Sequence, residues 1–137
     1  MKDRFTGLYS REYLFDQLEQ DLLDVLRVGQ SLAIILIDID SFKRTNDYFG
    51  LPAGDGVIVS VAEIILQHLE PPCWAARVGG EEFVAVLPAT SRQSALEVAE
   101  KIRLAVAAKP FTFKYDHQEK AKEMPTTSLG VCKSARS

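Results

Sequence analysis

Apolar residues recur along the chain with two different periods. Between residues 10 and 28, Tyr13, Leu14, Leu18, Leu22, Val25 and Leu26 fall three or four apart with acids between them, which predicts an amphipathic helix. Ser10 stands where an N-cap is wanted, and Gly29 where a helix-ending glycine is. Leu32 to Ile37 is a short, continuous apolar run, as in a strand covered on both faces, and it ends at Asp38-Ile39-Asp40. Helical spacing returns from about Ala53 to Leu69, with Val57, Val61, Ile64, Ile65 and Leu69 on one face, until Pro71-Pro72 stops it. Trp74 to Val78 and Glu82 to Leu87 flank Gly79-Gly80, which predicts a hairpin because glycine tolerates the positive φ of tight turns. Thr90 with Gln93 reads as a capping box before a third helix, whose stripe is Ala95, Val98, Ala99, Ile102 and Val106 and which Pro110 closes. Phe111 to Tyr115 and Thr126 to Val131 read as two more strands separated by a polar stretch, His117 to Glu123.

This order suits an α/β chain in which helices pack on the faces of a sheet, joined by right-handed crossovers. At 137 residues the chain is about one domain long and can bury its own core. Hydrophobic residues make up 47% and charged residues 26%, so a disordered or disulfide-rich class is excluded. A net charge of -3 argues against a general nucleic-acid binder, while leaving room for local nucleotide binding. Cys73 and Cys132 lie in apolar surroundings without metal-site spacing and read as buried, reduced thiols in a cytosolic setting. No apolar run approaches membrane-spanning length, so no membrane contact is expected of this segment, although a longer parent protein could carry an anchor.

Three constellations carry chemistry. Asp38 and Asp40, two apart on an extended chain, point to the same side at the end of an apolar strand, and such charges are costly unless paired or metal-bound. Hard oxygen donors suit Mg²⁺. Gly79-Gly80-Glu81-Glu82-Phe83 presents adjacent acids on the hairpin turn, where their mutual repulsion is useful only if a cation is held or a hydroxyl deprotonated. Should the hairpin pair beside the first strand, Asp38 and the glutamates converge into a two-metal phosphoryl-transfer site. The third group is Asn46, Asp47 and the run Gly50 to Asp55. An amide and a carboxylate there match a guanine edge, with helix capping by Asp55 as the plainer alternative. Lys43 is placed to contact phosphate.

With these residues in view the sequence resembles the GGDEF domain family. The matching elements are Asp3-Arg4-Phe5-Thr6-Gly7-Leu8-Tyr9-Ser10-Arg11, Asp38 to Lys43, Asn46-Asp47, Gly50, Gly54-Asp55, Arg77, Gly79 to Phe83 and Thr127 to Val131, in the family's order over nearly the whole chain. The resemblance implies an α+β sandwich with a central, mainly antiparallel sheet and flanking helices, of ferredoxin-like or nucleotidyl-cyclase-like type. It implies a diguanylate cyclase that joins two GTP molecules into cyclic di-GMP with Mg²⁺, or with Mn²⁺ in its place. Asp38, the Ile39 carbonyl, Glu81 and Glu82 would hold metal, and Glu81 or Glu82 would assist deprotonation of the ribose 3′-hydroxyl. Asn46 and Asp55 would read guanine, Phe42 and Lys43 would contact the triphosphate, and Asp47 would lie beside them in the substrate site. Partners would be a second, transiently facing copy of the domain and an upstream sensor or regulatory domain.

Three departures from the family pattern stand out. Leu51 replaces a common histidine and Phe5 a common leucine. Glu70 and Cys73 occupy the positions of the R-x-x-D product site, so inhibition by product at that site is not expected. The chain stops shortly after Ser128-Leu129-Gly130, where the family usually continues through another helix and strand, so it reads as a C-terminally truncated piece of a longer protein. The runner-up reading is a module of the same fold that holds GTP and regulates a neighbour without turnover; a purely structural domain gives no account of so many carboxylates at strand and turn ends.

Overall fold

The computed structural model describes the backbone of residues 1–40, 51–115, 118–123 and 127–133, and side-chain surroundings for 1–40 and 54–109. Helix α1 is Arg11–Arg27, capped by Ser10, whose Oγ accepts from the Tyr13 amide at 3.2 Å. Its far end closes with Gln30 N donating to Val25 O at 2.8 Å and Gly29 N to Leu26 O at 3.1 Å. That paired closure needs a left-handed residue, and Gly29 supplies it with φ 73°.

Strand β1 is Leu32–Ile39 and helix α2 is Leu51–Gln67. The helix starts and ends two residues earlier than its apolar spacing suggests. Pro52 fits the first turn, where its missing N–H needs no partner. At the other end the amides of His68 and Leu69 bond back three residues, to Ile65 O and Leu66 O, in a tightened last turn. Strands β2, Trp74–Arg77, and β3, Glu82–Pro88, form the expected hairpin, with Arg77 opposite Phe83.

Helix α3 is Arg92–Ala108. Its N-cap is Ser91, which accepts from Ser94 N at 3.1 Å, and not Thr90. The Thr90 hydroxyl donates instead to Pro88 O at 3.0 Å and its amide to Ser31 O at 3.2 Å, which commits it to closing the loop after β3. Three strands follow: β4, Pro110–Tyr115; β5, Gln118–Glu123; and β6, Thr127–Lys133. The polar stretch expected as a connection therefore holds a strand. It pairs with β4 along its whole length, and backbone pairing needs no apolar side chain.

β4 and β5 make a separate two-stranded sheet, while the main sheet runs β2-β3-β1-β6 with every neighbour antiparallel. The β1-α2-β2 and β3-α3-β6 units interleave, so each helix-linked pair of strands is separated by one strand of the other unit. This is the α+β, mainly antiparallel architecture expected.

The period of two along β1 sorts its residues between two cores. Ala33, Ile35, Ile37 and Ile39 join Phe83, Ala85 and Leu87 beneath α2 and α3. On the opposite face Leu32 and Ile34 pack with Val84, Val86 and Ala76 against Leu14 and Val25 of α1. Each fully buried Leu, Ile or Phe contributes about 1.5–3 kcal/mol, and a slip of one residue along β1 would turn the whole set out of the first core. The second face is not wholly covered: Leu36 is 48% exposed, which corrects the expectation of a strand hidden on both sides. Cys73 is half-buried rather than buried, and burial together with the charge of Glu70 pushes its thiol up, against a lowering hydrogen bond with Thr90. Among the described residues no helix is long and apolar enough to cross a membrane.

Candidate active site

The acidic residues assemble at one end of the two inner strands of the main sheet. β1 and β3 are antiparallel neighbours, and their register sets Asp38 directly opposite Glu82. On its other side Asp38 is opposite Ser128 of β6. Side chains on directly opposed residues lie about 5 Å apart at Cβ, and like charges there repel. Just beyond, Ile39 N donates to Glu81 O at 3.2 Å, which ties the hairpin turn to the end of β1. The condition for convergence of Asp38 with the glutamates, pairing of the hairpin beside β1, is met.

The electrostatics follow from that packing. Partial burial pushes the Glu81 carboxyl above its ordinary range, and the negative charges of Asp38 and Glu82 push it the same way. Asp38 and Glu82 are exposed and Asp40, just past the strand, is half-buried, while Ile39 is buried in the core below. A cluster of hard carboxylate oxygens is a donor set that suits a divalent cation. Among the described residues no three acids are drawn in to coordination distance, so the cluster has the charge and composition for a cation but is not contracted around one.

The two glycines of the turn have roles other than the one expected. Neither adopts the left-handed φ seen at Gly7 and Gly29. Gly79 instead provides room: a Cβ there would stand 2.6 Å from Glu82 Oε1, so the carboxylate lies back over the glycine. At Gly80 a Cβ would meet nothing within 4 Å, which leaves the turn open to approach from outside. The turn is closed by Val78 N and Gly79 N, which both donate to Glu82 O, at 2.9 and 3.3 Å.

Of the remaining candidates, Asp55 is exposed in α2 at its fifth residue, beyond the capping positions, which removes the capping alternative. Phe42, Lys43, Asn46 and Asp47 lie outside the described residues. Arg77 and Asp3 form an ion pair of 3.4 Å beside the turn, a contact that the sequence alone did not suggest. A groove of about 670 Å³ opens at the other end of β2, against Tyr9, Tyr13, Asp21 and Trp74, but it holds none of the candidate residues. The candidate site is therefore taken up at the carboxylates and not in that groove.

The profile of the family described as "Diguanylate cyclase, GGDEF domain" matches residues 1–137. Diguanylate cyclase DgcP of Pseudomonas aeruginosa is 44% identical over 114 residues, covering 83% of this chain and 17% of that protein. The chain spans 17% to 38% of the length of the curated relatives compared. The GGDEF domain of DgcB from Caulobacter crescentus, solved in complex with c-di-GMP, superposes with a TM-score of 0.91 at 30% identity, over 98% of this chain and 76% of that one. The active GGEEF domain of a diguanylate cyclase from Vibrio cholerae superposes with a TM-score of 0.81 at 32% identity, over 92% and 76%. Its signature is spelled as it is here, Gly79-Gly80-Glu81-Glu82-Phe83. Matched from end to end by the family and folded like its solved members, this chain belongs to the GGDEF domain family of diguanylate cyclases.

Proposed function

We propose that this domain is itself a working diguanylate cyclase, condensing two GTP molecules into cyclic di-GMP and two pyrophosphates. The observation that carries the reading is the cross-strand opposition of Asp38 and Glu82 with Glu81 raised beside them. A structural turn gains nothing from three clustered acids, whereas phosphoryl transfer uses them. Asp38, the Ile39 carbonyl, Glu81 and Glu82 would hold the cation. A bound Mg²⁺, or Mn²⁺ in its place, supplies neutralisation of the charge on the phosphate oxygens.

The rest of the chemistry falls to the chain. Glu81 accepts the proton of the ribose 3′-hydroxyl, a role helped by burial and by the charges of Asp38 and Glu82, which raise its carboxyl above the ordinary range. The freed oxygen bonds to the α-phosphorus of the second GTP as the bond from that phosphorus to pyrophosphate breaks. The same event in the opposite sense closes the ring. Asn46 and Asp55 select guanine, Phe42 and Lys43 seat the triphosphate, and Asp47 also serves in binding the substrate. One domain offers one such set, so two copies meet face to face as a transient twofold pair, each presenting its nucleotide to the other. The domain works in the cytoplasm as one part of a longer protein whose other domains bring the copies together.

The direct test is incubation of the protein with GTP and Mg²⁺, with product resolved by chromatography. Cyclic di-GMP is expected, at a rate per molecule that rises with protein concentration. GTP binding without product would move the reading to a regulatory module. A rate per molecule that is constant across dilution of a monomeric sample would sink the paired mechanism.

A further inference from the structure

Arg77 lies on β2, two residues before the acidic turn, and its side chain reaches in two directions. Nε donates to Gly79 O at 3.3 Å and Nη2 to Gly80 O at 2.9 Å, so the planar fork grips two successive carbonyls of the turn. Nη1 reaches the other way, to Asp3 Oδ2 at 3.4 Å, and the guanidinium stands 5.4 Å from the centre of the Phe5 ring. Asp3 is itself fixed, because the same Oδ2 accepts from Thr6 N at 2.9 Å and from Thr6 Oγ1 at 2.7 Å. The small loop around it closes through Gly7 N to Asp3 O at 2.9 Å and Asp3 N to Leu8 O at 2.6 Å, with Gly7 at φ 77°. Burial works against the Asp3 charge, but the Thr6 hydroxyl and amide and the Arg77 charge together hold its carboxyl below the usual range.

The consequence for the turn follows from the planarity of the peptide. The Gly80 carbonyl and the Glu81 N–H belong to one rigid plane, so holding the oxygen fixes the direction in which the chain enters Glu81. Gly79 and Gly80 give the backbone no side chain with which to hold itself, and the fork compensates for that freedom. The ion pair is partly buried, its side chains 19% and 26% exposed, and contributes modestly to stability, whereas a displaced reactive group costs a great deal in rate. We propose that Arg77 is a positioning residue for Glu81 and Glu82 and that Asp3 positions Arg77, so that residues 1–10 set the shape of the acidic turn. This rests on the catalytic reading of the turn given above.

The backbone supports the same coupling. Tyr9 N donates to Ala75 O at 3.1 Å and Arg77 N to Tyr9 O at 3.0 Å, so residues 1–10 are stitched to the edge of β2. A displacement of those residues is therefore carried to Arg77 by both its main chain and its side chain.

The test compares the full chain with Asp3→Asn, Arg77→Ala, Arg77→Lys and the Asp3→Asn/Arg77→Ala double variant. Turnover is measured at saturating Mg²⁺, together with melting temperature and hydrogen exchange of the Val78 and Gly79 amides. Arg77→Ala is expected to lower kcat about tenfold or more while KM for GTP moves less than about threefold. Arg77→Lys is expected to rescue little, because an ammonium cannot span both carbonyls. Asp3→Asn is expected to cost less, and to cost nothing further once Arg77 is gone. The two amides exchange faster in every variant while the melting temperature holds. Full activity in Arg77→Lys, multiplying losses in the double variant, or unchanged amide exchange would each overturn the proposal. Should Arg77→Ala not fold, Arg77→Lys and Asp3→Asn decide it. Should the unmutated chain make no product, the catalytic reading fails by itself, and amide exchange then decides whether Asp3 and Arg77 order the turn.

Discussion

The two faces of β1 differ in what surrounds them. The odd positions, Ala33 to Ile39, are at most 2% exposed under α2 and α3. The even positions pass from buried Leu32 through half-buried Ile34 and 48% exposed Leu36 to the exposed Asp38, which faces Glu82. One strand thus packs along its whole length on one side and on the other passes from a second core to the candidate acids, and its period of two keeps the two sets apart. Covering both faces would secure the sheet more firmly but would leave no place for charge. The acids tolerate their mutual repulsion because the opposite face fixes the backbone that carries them.

That contrast can be broken by substitution. On the packed face, Ile37→Ala removes a side chain that is 1% exposed and is expected to cost about 2–5 kcal/mol in denaturant unfolding, with any loss of activity following loss of fold. On the open face, Glu82→Ala is expected to lower cyclic di-GMP production by about a hundredfold or more while the melting temperature stays level or rises, since a repelling pair is relieved. Near-normal turnover in that variant would count against the site. Asp55→Ala, an exposed change on α2, is expected to leave stability within about 0.5 kcal/mol and to weaken GTP binding about tenfold, narrowing the preference for GTP over ATP. Unchanged discrimination in calorimetry would remove Asp55 from the guanine site. The mildest change is Leu36→Thr, expected to cost under about 1 kcal/mol because half of the side chain already meets water. A loss as large as that of Ile37→Ala would show the open face to be more tightly packed than described.

Much of this was legible in the sequence, for reasons that differ by region. The helices announced themselves through apolar stripes and through Ser10 and Gly29, both of which do what their residue types suggest. The hairpin was legible from Gly79-Gly80, yet the reason for glycine was not, since it lies in the position of the Glu82 carboxylate and not in φ. Strand β5 was hidden because Gln118 to Glu123 carry no apolar alternation and are joined to β4 by main-chain bonds. The α3 cap went to Ser91 over Thr90 because the loop after β3 claims the threonine. Whether Asp38 would face Glu82 depended on register, which long-range pairing decides. The Asp3 to Arg77 contact spans 74 positions, and no local pattern connects an acid in the first turn with a base before the hairpin.

The space at Gly79 has a practical consequence. A methyl group there would meet only the far end of a flexible carboxylate, so Gly79→Ala can fold by swinging Glu82 aside. The variant keeps every charge and every backbone donor of the parent while its acid is pointed away from the work. If two copies pair as proposed, such a copy would still meet its partner, and mixed with unaltered copies it would act as a dominant-negative reagent. Product formation should fall more steeply than the altered fraction if both copies are needed for each ring closure. A strictly proportional fall would mean that a single competent copy suffices.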